Sequence, residues 1–284
     1  KIASEPELAG ILDERFHEYD EQERHYLLYI PKAIAPQPSI VFVLHGSMSS
    51  AESMRGGTAY RFEQLAEEKG FLVVYPQGFD KHWNDCRASA DYQANVQNVD
   101  DVGFIKMIID DLSKEFSANT AEVYATGASN GGHMVYRLGL EAAQHFAAIA
   151  PIIANLPVDA NLDCTKSGQG LPVAIFNGTA DPINPYQGGV VSLGGNDSRG
   201  QVMSSRATAE YWASLLGHSE DTLSRPVKQM FADINKNDKS TVDVLIWSEP
   251  GSAEVRLYTI NGGGHTMPSL KVRMPRLLGP TNAD

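Results

Sequence analysis

The most constraining feature of this chain is a glycine-flanked serine at the end of a short apolar run. Gly127 and Gly131 lie two positions either side of Ser129, in the pattern Gly-x-Ser-x-Gly. This pattern is typical of a tight strand-to-helix turn that projects the serine hydroxyl. The helix that follows would offer free backbone N–H groups to a developing negative charge. An ordinary glycine-rich turn has the same spacing, so the rest of the chain must decide between them.

Apolar runs and helical patterns alternate along the sequence. Apolar and β-branched runs predict strands, at residues 23–32, 39–44, 71–75, 121–125, 146–153, 171–177, 242–247 and 253–260. Helical patterns fall at residues 60–69, 100–116, 130–140 and 205–216. This alternation favours an α/β fold with parallel pairing and right-handed crossovers. No Pro/Ser-rich linker or internal repeat divides the chain, so we predict one domain over residues 1–284.

The balance of charge limits the partners of the chain. It carries 35 acidic and 23 basic residues, a formal net charge of −12, and its basic residues form no run. This balance argues against nucleic acid or an anionic membrane surface as a partner. No apolar run in the sequence approaches the length needed to cross a membrane. We expect no metal site, because neither cysteine is spaced with histidine or cysteine as a metal ligand would be, and we expect no cofactor.

The chain has two cysteines, Cys86 and Cys164, and both lie in loop-like surroundings. In an oxidising compartment such a pair suggests one disulfide. In a reducing compartment the same residues would be two separate buried thiols. The residues alone leave both interpretations open.

A serine nucleophile needs a base and an acid that orients the base. In one known arrangement on parallel sheets, the acid and then the histidine follow the serine along the chain. Asp181 comes just after the run 171–177, and His265 follows the last predicted strand in a glycine-rich turn. Each residue alone also fits an ordinary loop, but their common order after strand ends makes Ser129, Asp181 and His265 the candidate triad.

Two backbone N–H groups are candidate donors to the oxyanion. Asn130 directly follows the nucleophile, and Ser47 lies in the loop after the run 39–44. These are the positions that supply such donors in the same arrangement. His45 is a competing histidine, but it precedes the serine and belongs to this donor loop, so we do not assign it as the base.

Several segments, in order and over nearly the whole chain, carry a resemblance to a known family. The segments are Leu-His-Gly-Ser at 44–47, 70–78 with Trp-Asn-Asp at 83–85, 99–105, 124–132, Gly-Thr-Ala-Asp-Pro at 178–182, 185–189 and Gly-Gly-His-Thr at 263–266. With these segments the chain resembles the polyhydroxybutyrate depolymerase and feruloyl esterase family of secreted α/β-hydrolases.

The resemblance implies an α/β-hydrolase fold, with a mostly parallel central sheet and helices on both faces. It also implies a serine carboxylic-ester hydrolase in which Ser129 is the nucleophile, Asp181 the acid and His265 the base. A secreted or periplasmic location follows from the same resemblance. Export in turn favours a bridge between Cys86 and Cys164.

The substrate is less constrained than the chemistry. A hydroxycinnamate (feruloyl-type) ester and a polymeric or oligomeric 3-hydroxyalkanoate ester are both compatible with the resemblance. Met48 beside the donor loop and Trp83 in the loop after 71–75 are candidates for lining the cleft, although packing under the loop fits both residues equally well. A catalytically inactive ligand-binding protein of the same fold is the alternative function.

The chain departs from the family pattern in two places. Met267 stands where the family usually has an aromatic residue before a proline, which predicts a softer wall for the substrate pocket. The family also usually has a further helix after a segment like residues 278–284. The sheet near His265 would be less supported without that helix.

Overall fold

A central β-sheet runs through the computed structural model, which describes residues 4–233, 240–269, 271–272 and 278–279. The strands are β1 Ile11–Tyr19, β2 Gln22–Ile30, β3 Ile40–Leu44, β4 Leu72–Pro76, β5 Val123–Ala128, β6 Ala148–Ile152, β7 Val173–Gly178, β8 Gly189–Val190, β9 Gln201–Val202, β10 Val227–Met230, β11 Thr241–Trp247 and β12 Val255–Asn261. The helix that the family usually has after a segment like residues 278–284 would lie outside these described residues.

Ten of the strands form one sheet in the order β1-β2-β4-β3-β5-β6-β7-β12-β11-β10. The strands from β4 to β12 in this order pair in parallel, whereas the strands at both edges pair antiparallel. The parallel strands are buried because helices cover them, and this is why they read as continuous apolar runs in the sequence. The predicted mostly parallel sheet is confirmed.

Helices lie on both faces of the sheet, as expected. The helices are α1 Ala51–Gly57, α2 Arg61–Lys69, α3 Gln93–Val96, α4 Asp101–Phe116, α5 Asn130–Glu141, α6 Ser205–Leu215 and α7 Glu220–Ser224. Met54 of α1 and Ala66 of α2 pack with Val43 on one face. On the other face, residues of α4, α5 and α6 pack with Phe42. Neighbouring residues of β3 therefore face opposite layers, as the pleat of a strand requires.

The sequence patterns did not predict β1 or β10, and each of these strands lies at an edge of the sheet. The sequence of β1 mixes charged residues with apolar ones, and Ile11 and Phe16 remain exposed. An edge strand with one neighbour needs no continuous apolar run. Pairing of β1 with β2 is supported instead by Arg15, which forms an ion pair with Glu115 at the end of α4. Such a partner is distant in sequence and leaves no local signal.

A disulfide joins Cys86 to Cys164, as the family resemblance implies. It ties the long loop after β4 to the segment after β6. Beside it, the N–H of Asp163 donates to the carbonyl of Cys86, and Arg87 forms an isolated β-bridge with Leu162. The loop after β4 therefore has a covalent and hydrogen-bonded anchor next to the parallel strands.

Within the described ranges, no helix combines the length and the apolar character needed to cross a lipid bilayer.

Replacing both Cys86 and Cys164 by alanine should lower the free energy of unfolding by about 4 kcal/mol, because the bridge closes a long loop in the unfolded chain. The two cysteines are 78 positions apart. Urea unfolding of the wild type and the double variant measures the difference. As a control, thiol titration of the denatured, unreduced wild type should find no free thiol, and two titratable thiols would contradict the bridge.

Candidate active site

Ser129 occupies the turn between β5 and α5 in a backbone conformation that few residues adopt. Its φ is 56° and its ψ is −119°, and its N–H donates to the carbonyl of Ile152 at 2.9 Å. A Cβ on Gly127 would lie 2.7 Å from the carbonyl oxygen of Gly131, and a Cβ on Gly131 would collide with the carbonyl of His45. The flanking glycines are therefore required by close backbone approach, as the Gly-x-Ser-x-Gly pattern predicts.

The structure brings Ser129, His265 and Asp181 together in one hydrogen-bonded series. The Oγ of Ser129 lies 2.9 Å from Nε2 of His265, and Nδ1 of His265 lies 2.8 Å from Oδ2 of Asp181. The three residues follow β5, β12 and β7. Their side chains meet at the edge where the carboxyl ends of parallel strands hold ligands. This geometry allows the histidine to take a proton from the serine while the carboxylate orients the imidazole.

The carboxylate of Asp181 is fixed by its own turn. Its Oδ1 accepts the N–H groups of Ile183 at 2.8 Å and Asn184 at 2.9 Å, which leaves Oδ2 for His265. The Asp181 side chain is almost fully buried. Hydrogen bonds of this kind hold a carboxylate in one orientation. Oδ2 of Asp181 is therefore directed toward His265 before any substrate binds.

The two candidate oxyanion donors both lie beside Ser129. Asn130 is the first residue of α5, where helix geometry leaves the backbone N–H without an intrahelical acceptor. Ser47 follows β3 and lines the same cavity as Ser129. Among the described residues, neither backbone N–H donates to another group of the chain. Their action on an oxyanion stays a prediction.

The side chain of Asn130 holds the loop after β4 in place. Its Oδ1 accepts the N–H of Trp83 at 2.8 Å, and its Nδ2 donates to the carbonyl of Trp83 and to Oδ2 of Asp85. Asp85 also forms a buried ion pair with Arg87. Burial alone would raise the pKa of Asp85, but the adjacent Arg87 guanidinium outweighs burial and lowers it. Asp85 lies in the Trp-Asn-Asp segment at 83–85, and the sequence alone indicated no role for it.

His45 is not part of the triad and instead shapes the donor loop. Its ring is buried, with Nδ1 2.7 Å from the carbonyl of Gly46 and Nε2 accepting the N–H of Gly78 at 3.0 Å. These contacts require the neutral ring with the proton on Nδ1. Burial lowers the pKa of His45 to about 4, in agreement with a neutral ring.

The candidate triad opens into a cavity of about 440 Å³. Of the predicted cleft residues, Met48 and Met267 both line this cavity, and Met48 is 73% exposed at its rim. The prediction that Trp83 lines the cleft is wrong. Its side chain is 0% exposed, and its indole N–H donates to the carbonyl of His45. Trp83 supports the donor loop from below, which is the packing alternative.

Several polar residues line the cavity that were not predicted from the sequence to do so. They are Arg87, Tyr92, His133, Asn184 and Arg199. Asn184 had a weak signal, because it follows Asp181 by three positions in the same turn. Arg199 had no signal in the sequence, because it belongs to a loop whose position depends on the tertiary fold.

A second cavity, of about 750 Å³, lies over one face of the sheet and contains no triad residue. Among the described residues, Met267 and Gly57 line both this cavity and the one that contains Ser129. In the part of the chain that the structure describes, no group of three or more histidine, cysteine, aspartate or glutamate side chains is arranged to hold a metal ion.

Comparison with known proteins finds esterases. The chain is 29% identical over 160 residues, 56% of its length, to the bifunctional acetylxylan esterase/xylanase XynS20E of Neocallimastix patriciarum. It is 27% identical over 218 residues, 69% of its length, to acetylxylan esterase A of Talaromyces purpureogenus. The chain covers 22% and 54% of the lengths of these relatives. No model of a known protein family matches it.

The structure resembles the acetyl xylan esterase from Aspergillus awamori with a TM-score of 0.63 and 17% identity. The match covers 93% of this chain and 96% of that one. Together with the sheet order, this likeness shows that the chain has the α/β-hydrolase fold.

Acid should destabilise the protein partly through His45. A histidine whose pKa falls from 6.5 to about 4 on folding contributes stability that is fully present above pH 6.5 and is lost as the pH falls towards 4. The expected contribution is on the order of 3 kcal/mol. His45→Gln removes the titrating ring, so the difference in unfolding free energy between wild type and variant should shrink between pH 7 and pH 4. A difference that stays constant in urea titrations would contradict this assignment.

Proposed function

We propose that the protein is a serine carboxylic-ester hydrolase. The observation that carries the proposal is the hydrogen-bonded series from Ser129 through His265 to Asp181 at a strained strand-to-helix turn. The inactive binding protein is the weaker alternative, because such a protein needs neither this strained serine nor an imidazole held on both sides. The esterase names of the relatives support the same class of reaction.

The geometry supports an acyl-enzyme mechanism. His265 accepts the proton of Ser129 as its Oγ attacks the ester carbonyl, and Asp181 stabilises the imidazolium that forms. The N–H groups of Ser47 and Asn130 then bind the tetrahedral oxyanion. His265 passes the proton to the departing alkoxide, which leaves an acyl group on Ser129. A water molecule that His265 deprotonates hydrolyses this acyl-enzyme by the same steps and releases the carboxylic acid.

The cavity wall favours aliphatic over aromatic acyl groups. Met48, Met54 and Met267 form part of the wall, and Tyr92 is the one aromatic ring, histidine aside, that lines it among the described residues. Tyr92 already stacks on His82, so its ring is not free to sandwich a hydroxycinnamate. Flexible thioether side chains accept small aliphatic groups readily. With the names of the relatives, we infer an acetyl or other short acyl ester of a plant polysaccharide, and keep the 3-hydroxyalkanoate ester as the second aliphatic candidate.

The proposed location of the enzyme is extracellular or periplasmic. The disulfide between Cys86 and Cys164 supports this location, because such bridges persist in oxidising compartments.

Ser129→Ala should lower kcat for 4-nitrophenyl acetate by at least about 10⁴-fold, because it removes the nucleophile. Its melting temperature should stay close to that of the wild type. An organophosphonate should label Ser129 in the folded wild type and leave the variant unlabelled in mass spectrometry. Ser214→Ala, at the exposed end of α6, is the matched control and should keep full turnover. Retained turnover in Ser129→Ala would point to another nucleophile.

A parallel assay should separate the substrate classes. Acetylated xylan, methyl ferulate and a 3-hydroxybutyrate trimer are compared by kcat/KM under the same conditions. We expect the aliphatic esters to exceed methyl ferulate by roughly two- to tenfold in kcat/KM, because the cavity lacks a free aromatic face whose stacking would contribute roughly 0.5–1.5 kcal/mol. A preference for methyl ferulate would contradict the aliphatic assignment.

A further inference from the structure

Arg199 places a positive charge without a carboxylate partner in the active-site cavity. Its residue is 9% exposed and lines the same cavity as Ser129 and His265. Its Nε donates to the hydroxyl of Tyr92 at 2.7 Å, and its Nη1 donates to the carbonyl of Asn196 at 3.2 Å. Within the described residues no carboxylate lies within ion-pair distance of this guanidinium. Buried charges in proteins are normally paired with an opposite charge. The guanidinium of Arg199 therefore lacks the anion that would normally accompany it.

The neighbouring Arg87 is a second guanidinium group in the cavity, and its charge is paired with a carboxylate. Arg87 also lines the cavity, but Asp85 pairs with it at 2.5 Å. Both guanidinium groups lie over the ring of Tyr92, at 5.7 Å for Arg87 and 5.4 Å for Arg199. The ring offsets part of the charge of Arg199 but supplies no anion. The described residues that line the cavity include no carboxylate, so none of them pairs with Arg199.

Asn184 adds an unpaired amide to the same cavity. It is 2% exposed, and both its Oδ1 and its Nδ2 are buried without a hydrogen-bond partner. The buried hydroxyl of Ser47 also lacks a partner and lines the cavity. Unpaired polar atoms of this kind cost about 1–3 kcal/mol each unless a ligand satisfies them. Asn184 is held by its backbone N–H on Asp181, so its position relative to the triad is set.

We propose that the ester substrate carries a free carboxylate, which the guanidinium of Arg199 binds in the cavity while the amide of Asn184 donates beside it. The assignment rests on the proposed esterase function and narrows its substrate class to acidic esters. One unpaired guanidinium with neutral neighbours matches the single charge of a carboxylate, and the planar fork of arginine suits its two oxygens. A phosphate ester would demand a second free cation, which Arg87 does not offer because Asp85 neutralises it.

Two pairs of ester substrates test whether a carboxylate is preferred, one on the acyl side and one on the alcohol side of the ester bond. Each acid is compared with a neutral amide of the same shape. The mono-4-nitrophenyl ester of glutaric acid carries the carboxylate on the acyl side, and 4-nitrophenyl glutaramate is its neutral match. 3-Acetoxybutyrate carries it on the alcohol side, and 3-acetoxybutanamide is its neutral match. In one of the two pairs, we expect kcat/KM of the acid to exceed that of the amide by about 10- to 100-fold. This ratio corresponds to the free energy of one hydrogen bond to a charged group.

Substitutions then assign the preference to this site. Arg199→Gln should abolish the preference, so that the ratio of kcat/KM for the acid to kcat/KM for the amide falls to about one. Asn184→Asp, which keeps the side-chain shape and adds a negative charge, should also remove the preference. Arg225→Gln is the matched control, because Arg225 is exposed and lies outside the cavity, and it should keep the preference. Equal rates on acid and amide in both pairs, or a preference that survives Arg199→Gln, would overturn the proposal.

A binding measurement separates this proposal from the esterase function. Glutarate and glutaramide are titrated calorimetrically into Ser129→Ala, which needs no turnover. Glutarate should bind at least tenfold more tightly than glutaramide, and Arg199→Gln in the same background should lose the difference. If the wild type hydrolyses no ester but this difference is present, the carboxylate site stands and the esterase function fails. If esters are hydrolysed and the two ligands bind equally, the carboxylate site fails alone.

Discussion

The close approach of the chain around Ser129 is the constraint on which the site depends. Ser129 adopts a positive φ of 56°, and its N–H is held by the carbonyl of Ile152 in the neighbouring strand. A conformation of this kind costs about 1–3 kcal/mol and persists only where the surrounding structure over-determines it. The parallel strands supply that surrounding structure, and Gly131 lets the donor loop come within contact of the turn. The strain holds the serine hydroxyl at the open edge of the sheet.

A second layer of buried polar contacts connects this turn to the disulfide. Asn130 begins α5 with its backbone N–H free, while its side chain binds Asp85. Asp85 pairs with Arg87, which adjoins the disulfide-bonded Cys86. Breaking a buried pair is costly because it leaves one charge without a partner. The disulfide, the ion pair and Asn130 therefore form one continuous set of contacts that connects the turn at Ser129 to the loop after β4.

The candidate site combines the proposed serine-esterase residues with a cavity lining that contains buried polar groups. Ser129 and His265 would act on any ester that reaches them, so selectivity has to come from the cavity. Its methionine wall is adaptable, whereas Arg199 and Asn184 present directional polar groups, and the guanidinium of Arg199 is held by Tyr92. Fixed polar groups that lack partners discriminate more strongly than an apolar wall, because a ligand that fails to pair them leaves them desolvated. The carboxylate proposal follows from this difference.

The sequence by itself determined the parallel strands, the turn at Ser129 and the chain order of Asp181 and His265. These features have local signals, because buried strands need continuous apolar runs and the turn needs glycine. Only the tertiary structure decided that Trp83 packs beneath the donor loop, that edge strand β1 forms, and that Arg199 enters the cavity. Each of these depends on partners far away along the chain, and a charge that is left unpaired in a cavity can be recognised only when all its neighbours are in place.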